Sequence, residues 1–213
     1  MPALTPPVAV AAFDFDGTLT RRDTFTPFLA RGLGWPRFLW ALLRCSPWLL
    51  AYALRLVPNH VAKARLMRAT LSGRSSAEMQ DWTARWLAYD FPGQLQDWTM
   101  TRLAWHRQAG HCCVLVSASP DIYLRRVAEQ LGFDALICTE MAVEGGRLTG
   151  LMRTPNCHGE QKVLRLNAWL SERFGLASFA GMTLYAYGDS WGDKPMLRLA
   201  GHAWYRGQPW RAP

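Results

Sequence analysis

The sequence lacks the marks of a nucleic-acid-binding arm and of a cysteine-rich metal module. No run of five or more Lys or Arg occurs, although the 213 residues carry a formal net charge of +8. Nucleic acid is therefore not an expected partner. The five cysteines are odd in number and show no CxxC spacing. This usage is typical of free, buried thiols in a reducing compartment, and we expect a cytoplasmic protein.

Hydrophobic runs long enough to span a bilayer are also absent. The N-terminus has no positive charge before its first apolar run, so a cleaved signal peptide is not expected. Arginines and prolines interrupt the most apolar region, residues 35–57, and its longest uncharged piece, residues 45–54, is about half of the ~20 residues required. A peripheral contact with an anionic membrane stays open as an alternative.

Apolar runs alternate with helical patterns along most of the chain. This alternation predicts an α/β fold, with a parallel sheet and helices on both faces. Residues 23–90 are helical in character and are interpreted as a cap inserted after the first strand; residues 1–22 and 91–213 form the predicted core. The predicted strands are 8–13, 112–116, 135–138, 183–187 and 202–205, with a hairpin over 143–148 and helices at 120–131, 161–174 and 194–199.

Two local patterns lead to more detailed expectations. Ser119 is predicted as the N-cap and Pro120 as the first residue of the helix that follows the second strand. Within the predicted cap, a stripe at helical spacing is expected to be buried. It comprises Met79, Trp82, Trp86 and Tyr89.

Carboxylates follow two of the predicted strands. Asp14 and Asp16 come directly after the first strand, and Asp189 follows a later one. In an open α/β sheet, ligands bind beyond the carboxyl ends of the strands. Two carboxylates this close repel each other unless a cation compensates, and Mg²⁺ fits such an oxygen set. Solvated turn aspartates are the alternative interpretation.

A hydroxyl and an ammonium group complete the candidate set. Ser117 ends the second predicted strand, and its hydroxyl, with the amides of Ala118 and Ser119, is suited to hold a phosphate oxygen. Lys162 lies near the start of a later helix and is able to neutralise Asp14 together with a phosphoryl group. An ordinary strand-end serine and a solvated lysine are the alternatives.

Together these stretches resemble the haloacid dehalogenase superfamily of phosphatases, whose core is a Rossmann-like α/β sheet. The resemblance rests on residues 13–20 (FDFDGTLT), Ser117, Lys162, and residues 188–190 with Asp193. The place of the cap, the VSASP stretch and residues 157–162 (CHGEQK) are most similar to subfamily IB, the phosphoserine-phosphatase-like branch.

The resemblance implies Mg²⁺-dependent hydrolysis of a small phosphorylated substrate through an aspartyl-phosphate. It makes Asp14 the nucleophile and Asp16 the general acid. It also implies that Ser117 and Lys162 hold the phosphoryl group, to which the Ala118 amide is added from the cradle argument above. The implied metal ligands are Asp14, the backbone carbonyl of Asp16, and Asp189, with Asp193 supporting them.

The substrate is less well defined by the sequence. Asp23 stands where phosphoserine phosphatases have a substrate-facing acid, although an exposed aspartate at a helix start is the alternative. The apolar cap with its interspersed arginines suits either packing between cap helices or docking on an anionic membrane, and residues 202–206 (HAWYR) resemble bacterial family members that act on phosphatidylglycerophosphate. A membrane-associated phospholipid phosphatase therefore remains an alternative. A non-catalytic basic interaction protein is the alternative from another class.

Overall fold

The computed structural model describes residues 9–175 and 181–211. Six strands form the main sheet, in the spatial order β3-β2-β1-β6-β7-β8, and the first five of these run parallel. β4 and β5 form a separate antiparallel hairpin. The strands are β1 (Ala9–Phe13), β2 (Cys112–Pro120), β3 (Ala135–Thr139), β4 (Met141–Glu144), β5 (Arg147–Met152), β6 (Thr183–Gly188), β7 (His202–Tyr205) and β8 (Gln208–Trp210).

Eight α-helices accompany these strands in the described part of the chain. Four lie consecutively between β1 and β2: α1 (Phe25–Leu33), α2 (Trp35–Ala53), α3 (Asn59–Leu71) and α4 (Ser76–Tyr89). The others are α5 (Asp97–Gln108), α6 (Asp121–Leu131), α7 (Glu160–Phe174) and α8 (Lys194–Leu199). The predicted α/β class is thus confirmed, while the division into a core and a separate cap stays a prediction. No described helix has both the length and the hydropathy needed to cross a bilayer.

Side chains alternate in direction along the central strand β1, so the hydrophobic core lies in two parts, one on each face of the sheet. Ala11 and Phe13 point to one face, where they join a hydrophobic cluster that continues through α5 and α6 into α1, α3 and α4. Val10 and Ala12 point to the other face and pack with α7 and α8. Helices α1, α3 and α4 therefore share one continuous hydrophobic cluster with the sheet.

Several predicted boundaries were wrong. β2 continues to Pro120, which takes the N-cap position of α6 in an extended conformation, so Ser119 is not the cap. The reason is that the Ser119 hydroxyl donates to Asp16 instead of receiving a helix amide. Tyr89 is 75% exposed, because α4 ends there and the chain turns away. Val8 of the first predicted strand lies outside the described residues.

Strand β8 was not predicted from the sequence. Its three residues include Pro209, which cannot donate to a sheet ladder and argues against a strand. The structure places β8 antiparallel to β7 at the edge of the sheet, where a proline is tolerated. The five cysteines are free thiols, four buried and Cys112 partly buried, which agrees with the expectation from their spacing.

Candidate active site

Three neighbouring strands deliver the candidate residues to one edge of the sheet. β1 lies between β2 and β6, and all three run parallel. Asp14 follows β1, Ser117 lies in the C-terminal half of β2, and Asp189 follows β6. Because the carboxyl ends of parallel strands face the same way, these side chains converge.

Lys162 connects two carboxylates in the interior of this site. Its Nζ donates to Asp14 Oδ1 and to Asp193 Oδ1, both at 2.6 Å, and to the Val116 carbonyl at 2.9 Å. Lys162 is only 1% exposed. Burial favours the neutral amine, but the Asp14 and Asp193 carboxylates outweigh it and raise the pKa of Lys162. The ammonium is therefore held charged and fixed beside Asp14.

The pKa of the Asp14 carboxyl is also raised, which for a carboxyl group favours the neutral form. Burial and the nearby Asp193 carboxylate raise its pKa, although Lys162 acts against this shift. Asp14, Asp189 and Asp193 each place one oxygen within 4.8 Å of the others. Within residues 9–175 and 181–211, Lys162 is the single ammonium bonded to this group, so the three carboxylates retain an excess of negative charge.

Asp193 differs from the other two carboxylates because it accepts four hydrogen bonds from protein donors, more than either of them. Oδ1 receives Lys162, and Oδ2 receives the Ser190 hydroxyl at 2.6 Å and the amides of Ser190 and Asp189. Asp193 therefore holds the loop after β6 in place. Asp14 and Asp189 are the carboxylates with coordination capacity left for a cation.

The loop after β1 approaches Asp189 closely. Gly17 has φ +81°, and a Cβ at this position would come within 2.3 Å of Asp189 Oδ2. Thr18 Oγ1 lies 3.1 Å from Asp14 Oδ2 and 3.4 Å from Asp189 Oδ1. Glycine is thus required here for both its backbone conformation and its lack of a side chain.

Asp16 is held on both carboxylate oxygens. Oδ1 accepts from the Thr24 amide at 2.7 Å and the Thr24 hydroxyl at 2.6 Å, and Oδ2 accepts from the Ser119 hydroxyl at 2.5 Å. Burial, reinforced by the charge of Asp23, raises the pKa of Asp16, while these hydrogen bonds limit the rise. A carboxyl with a raised pKa is suited to give a proton to a leaving group.

The predicted phosphate cradle is organised differently from the expectation. Ser117 is buried, and its Oγ accepts from the Ser119 amide at 3.0 Å, so that amide is already engaged. The Ala118 carbonyl accepts from Lys63 Nζ at 2.7 Å and from the Thr139 hydroxyl at 2.8 Å. Helix α6 begins only at Asp121, so its N-terminus does not reach Ser117. The Ser117 hydroxyl remains able to donate its own hydrogen.

Two residues of this site, Thr24 and Lys63, were not predicted from the sequence. Lys63 comes from α3, and burial lowers its pKa while the charges of Asp16 and Asp23 oppose this. A lone lysine on a helix carries no sequence signal of such a contact. Ser119 was predicted as a helix cap and, through its amide, as part of the phosphate cradle, but the hydrogen bond from its hydroxyl to Asp16 was not predicted.

Asp23 is exposed, and its Oδ2 accepts from the Thr26 amide at 3.1 Å at the start of α1. This contact agrees with the helix-start interpretation. Its charge nevertheless acts on both Asp16 and Lys63, because it adds to the rise that burial causes in the pKa of Asp16 and opposes the fall that burial causes in the pKa of Lys63. A substrate-facing role for Asp23 therefore stays a prediction.

Sequence comparison assigns the family. The model of the haloacid dehalogenase-like hydrolase family matches residues 11–198. The chain is also 35% identical over 205 residues to Protein CicA of Caulobacter vibrioides, an alignment that covers 94% of this chain and 88% of CicA. The chain belongs to the haloacid dehalogenase-like hydrolases.

Solved structures share the same architecture. A protein of unknown function from Bordetella pertussis Tohama I superimposes with a TM-score of 0.79 at 25% identity, over 92% of this chain and 88% of that one. A substrate-bound phosphoserine phosphatase superimposes with a TM-score of 0.63 at 16% identity, over 93% and 85% of the two chains. At the latter identity the likeness establishes the fold alone.

Proposed function

We propose that this protein is a magnesium-dependent phosphatase that hydrolyses small phosphate monoesters through a phosphorylated Asp14. The observation that carries the proposal is the pairing of a buried Asp14, fixed by Lys162 at 2.6 Å, with Asp16 two residues further on. Burial raises the pKa of both carboxyl groups, but only Asp14 is bonded to an ammonium, which favours its ionised form. Such a division between two carboxyl groups is what nucleophilic and general acid roles require.

Two successive transfers at phosphorus make up the proposed reaction. An Asp14 oxygen bonds to phosphorus as the bond from phosphorus to the substrate oxygen breaks, and Asp16 gives its proton to that leaving oxygen. Asp16 then takes a proton from a water molecule, whose oxygen attacks phosphorus. The bond from phosphorus to Asp14 breaks, and inorganic phosphate leaves. Two smaller barriers replace one that is very high for uncatalysed phosphate monoesters.

Lys162 and Ser117 supply the proposed phosphoryl contacts. The fixed ammonium stabilises charge on the transferring group without having to reorganise. The Ser117 hydroxyl donates from the adjacent strand. Ala118 takes part through its position, because its carbonyl holds Lys63 near the same edge.

The donor set fits a magnesium ion. Asp14 and Asp189 would bind it with the Asp16 carbonyl, while Asp193 keeps the loop after β6 in place. Three carboxylates against one ammonium leave the charge that a divalent cation neutralises. When bound, the ion supplies electrostatic stabilisation of the phosphoryl oxygens.

The proposal also concerns the location of the protein and a lipid alternative for its substrate. A cytoplasmic location is supported by the five free thiols. A phospholipid with a terminal phosphate monoester would undergo the same chemistry, so this alternative differs only in what brings the substrate to the site. A non-catalytic role is disfavoured, because a buried, charged cluster is costly to keep without a use.

Phosphate release from a panel of small phosphate monoesters, with Mg²⁺ or with EDTA, tests the proposal. The wild type should release phosphate only with Mg²⁺, and Asp14→Asn should lose at least about a thousandfold in kcat. Asp97→Asn is the matched control, because its side chain is 98% exposed. Magnesium should also raise the melting temperature of the wild type but not of Asp189→Asn. Activity that persists in EDTA or in Asp14→Asn would overturn the proposal.

A further inference from the structure

Helix α2 presents an apolar surface that no described part of the chain covers. Its large apolar side chains on one side are between 57 and 67% exposed: Trp35, Leu39, Trp40, Leu43, Leu50 and, at the C-cap, Leu54. At about 100° per residue, they fall within an arc of about 140°. The buried residues Phe38, Ala41 and Cys45 lie on the opposite side, so α2 is anchored to the protein by a different face.

Arginines border this apolar arc. Arg37 and Arg44 lie at its edge and also line a groove of about 640 Å³ between α2 and α3. Three more arginines, Arg65, Arg68 and Arg74, line the same groove, and no carboxylate does. In the described part of the chain, only Arg74 of these five has an acidic partner, Glu78 at 3.1 Å.

The net charge of the whole chain is concentrated in this region. Residues 24–77 contain eight Lys and Arg side chains and no Asp or Glu. The remaining residues contain sixteen basic and sixteen acidic side chains and are neutral overall. The positive field is therefore a local property of α1, α2, α3 and their connections.

We propose that the exposed face of α2 docks on an anionic membrane surface, with lipid phosphates in the groove lined by Arg37 and Arg44. An apolar stripe bordered by cations is the arrangement that lies flat in a bilayer interface, with the apolar side chains in the acyl boundary. Arginines beside the stripe reach the headgroup layer and attract anionic lipids.

Other occupants fit this surface less well. A second copy of the chain would bring two uncompensated positive regions face to face. Nucleic acid would satisfy the arginines but leave the leucines and tryptophans of α2 in contact with water. A bilayer with anionic headgroups satisfies both the apolar arc and the groove, and it requires no spanning helix.

Co-sedimentation with vesicles tests the proposal. The protein should bind vesicles rich in phosphatidylglycerol, bind phosphatidylcholine vesicles at least about tenfold more weakly, and detach as salt screens the charges. The double variant Leu39→Asp with Leu43→Asp should lose at least about tenfold in partitioning. The matched control is Leu151→Asp with Leu164→Asp, which are 50 and 61% exposed elsewhere on the protein.

Further variants distinguish membrane docking from a loss of folding, from the proposed chemistry and from dimerisation. Arg37→Gln with Arg44→Gln should reduce binding to anionic vesicles only. Hydrolysis of an aryl phosphate and thermal melting should match the wild type in all these variants, which confirms folding. Asp14→Asn should bind vesicles normally, so docking stands or falls independently of the proposed chemistry. Equal binding by the α2 and control variants, or a dimer in solution that only the α2 variant dissociates, would overturn the proposal.

Discussion

The Ser119 hydroxyl lies 2.5 Å from Asp16 Oδ2 and joins the end of β2 to the loop after β1. Asp16 also accepts from Thr24 at the start of α1. One carboxylate therefore links the central sheet with the first of the four consecutive helices. A shift of Ser119 or Thr24 changes the electrostatic environment of the group that we assign as the general acid.

Ser119→Ala should shift the pH profile of hydrolysis to higher pH. The serine hydroxyl stabilises the ionised form of Asp16, so its removal raises the pKa of that carboxyl further. Loss of a hydrogen bond to a charged group costs about 1.5–3 kcal/mol, which sets an upper bound of about one to two pH units. Steady-state kcat measured from pH 5 to 9 checks this, with Thr101→Ala as the exposed control. An unmoved profile would contradict the role of Ser119.

Lys162→Met should destabilise the protein in the absence of metal. The Asp14 and Asp193 carboxylates would then face each other in the interior without the ammonium between them. Removing one member of a buried ionic group costs about 3–5 kcal/mol in the free energy of unfolding. Urea denaturation in EDTA measures this, with Arg198→Met as a surface control on α8. Equal losses of unfolding free energy in Lys162→Met and Arg198→Met would contradict the role of Lys162 as the cation between the two carboxylates.

Lys63→Met should weaken substrate use more than stability. The Ala118 carbonyl keeps its hydrogen bond from Thr139 at 2.8 Å, so no buried acceptor is orphaned. The variant nevertheless removes a cation that the charges of Asp16 and Asp23 sense. We expect about a tenfold loss in kcat/KM, equal to about 1.4 kcal/mol, with the free energy of unfolding little changed. Arg65→Met, on the same helix, should leave kcat/KM unaltered, and equal losses would argue against a site role for Lys63.

His106 should make the fold less stable in acid. It is buried, with its ring nitrogens 2.7 Å from His111 Nδ1 and 2.8 Å from the Tyr187 hydroxyl. Burial, followed by the charges of His111 and Arg102, lowers the pKa of His106 to about 3. The unfolded chain takes up a proton near pH 6.5 and the folded protein does not, so stability is full above pH 6.5 and falls towards pH 3.

The His106 contribution between pH 7 and pH 5 should be about 1–2 kcal/mol. Urea denaturation of His106→Asn should show a correspondingly smaller difference between these two pH values. His60→Asn, at an exposed position, should behave like the wild type. Identical pH dependence in His106→Asn and the wild type would exclude His106 as the source.

The features that could be predicted from the sequence are those that neighbouring residues in the chain determine. Asp14 and Asp189 were placed correctly after strand ends, because each follows a short apolar run and parallel strands must end at one edge, whereas Ser117 lies three residues before the end of β2. The stripe of Met79, Trp82 and Trp86 is buried for a similar reason, since helical periodicity reports the packed face.

The features that escaped prediction depend on distant contacts. The bond from Lys63 to Ala118 joins residues 55 positions apart, and no local pattern signals it. Serine is a residue type that favours helix N-caps, but the hydroxyl of Ser119 instead donates to the carboxylate of Asp16, 103 positions away. Strand β8 exists because β7 offers it an edge, whereas Pro209 alone argues against it.

Trapping the covalent intermediate tests the central claim most directly. With an aryl phosphate, whose leaving group needs little protonation, Asp16→Asn should slow attack by water more than it slows phosphorylation of Asp14, so an acid-quenched reaction should accumulate enzyme carrying one phosphoryl group. Borohydride reduction followed by peptide mass spectrometry should locate that group at residue 14, and Asp14→Asn should carry none. A phosphoryl group on another side chain, or steady phosphate release by Asp14→Asn, would contradict the account.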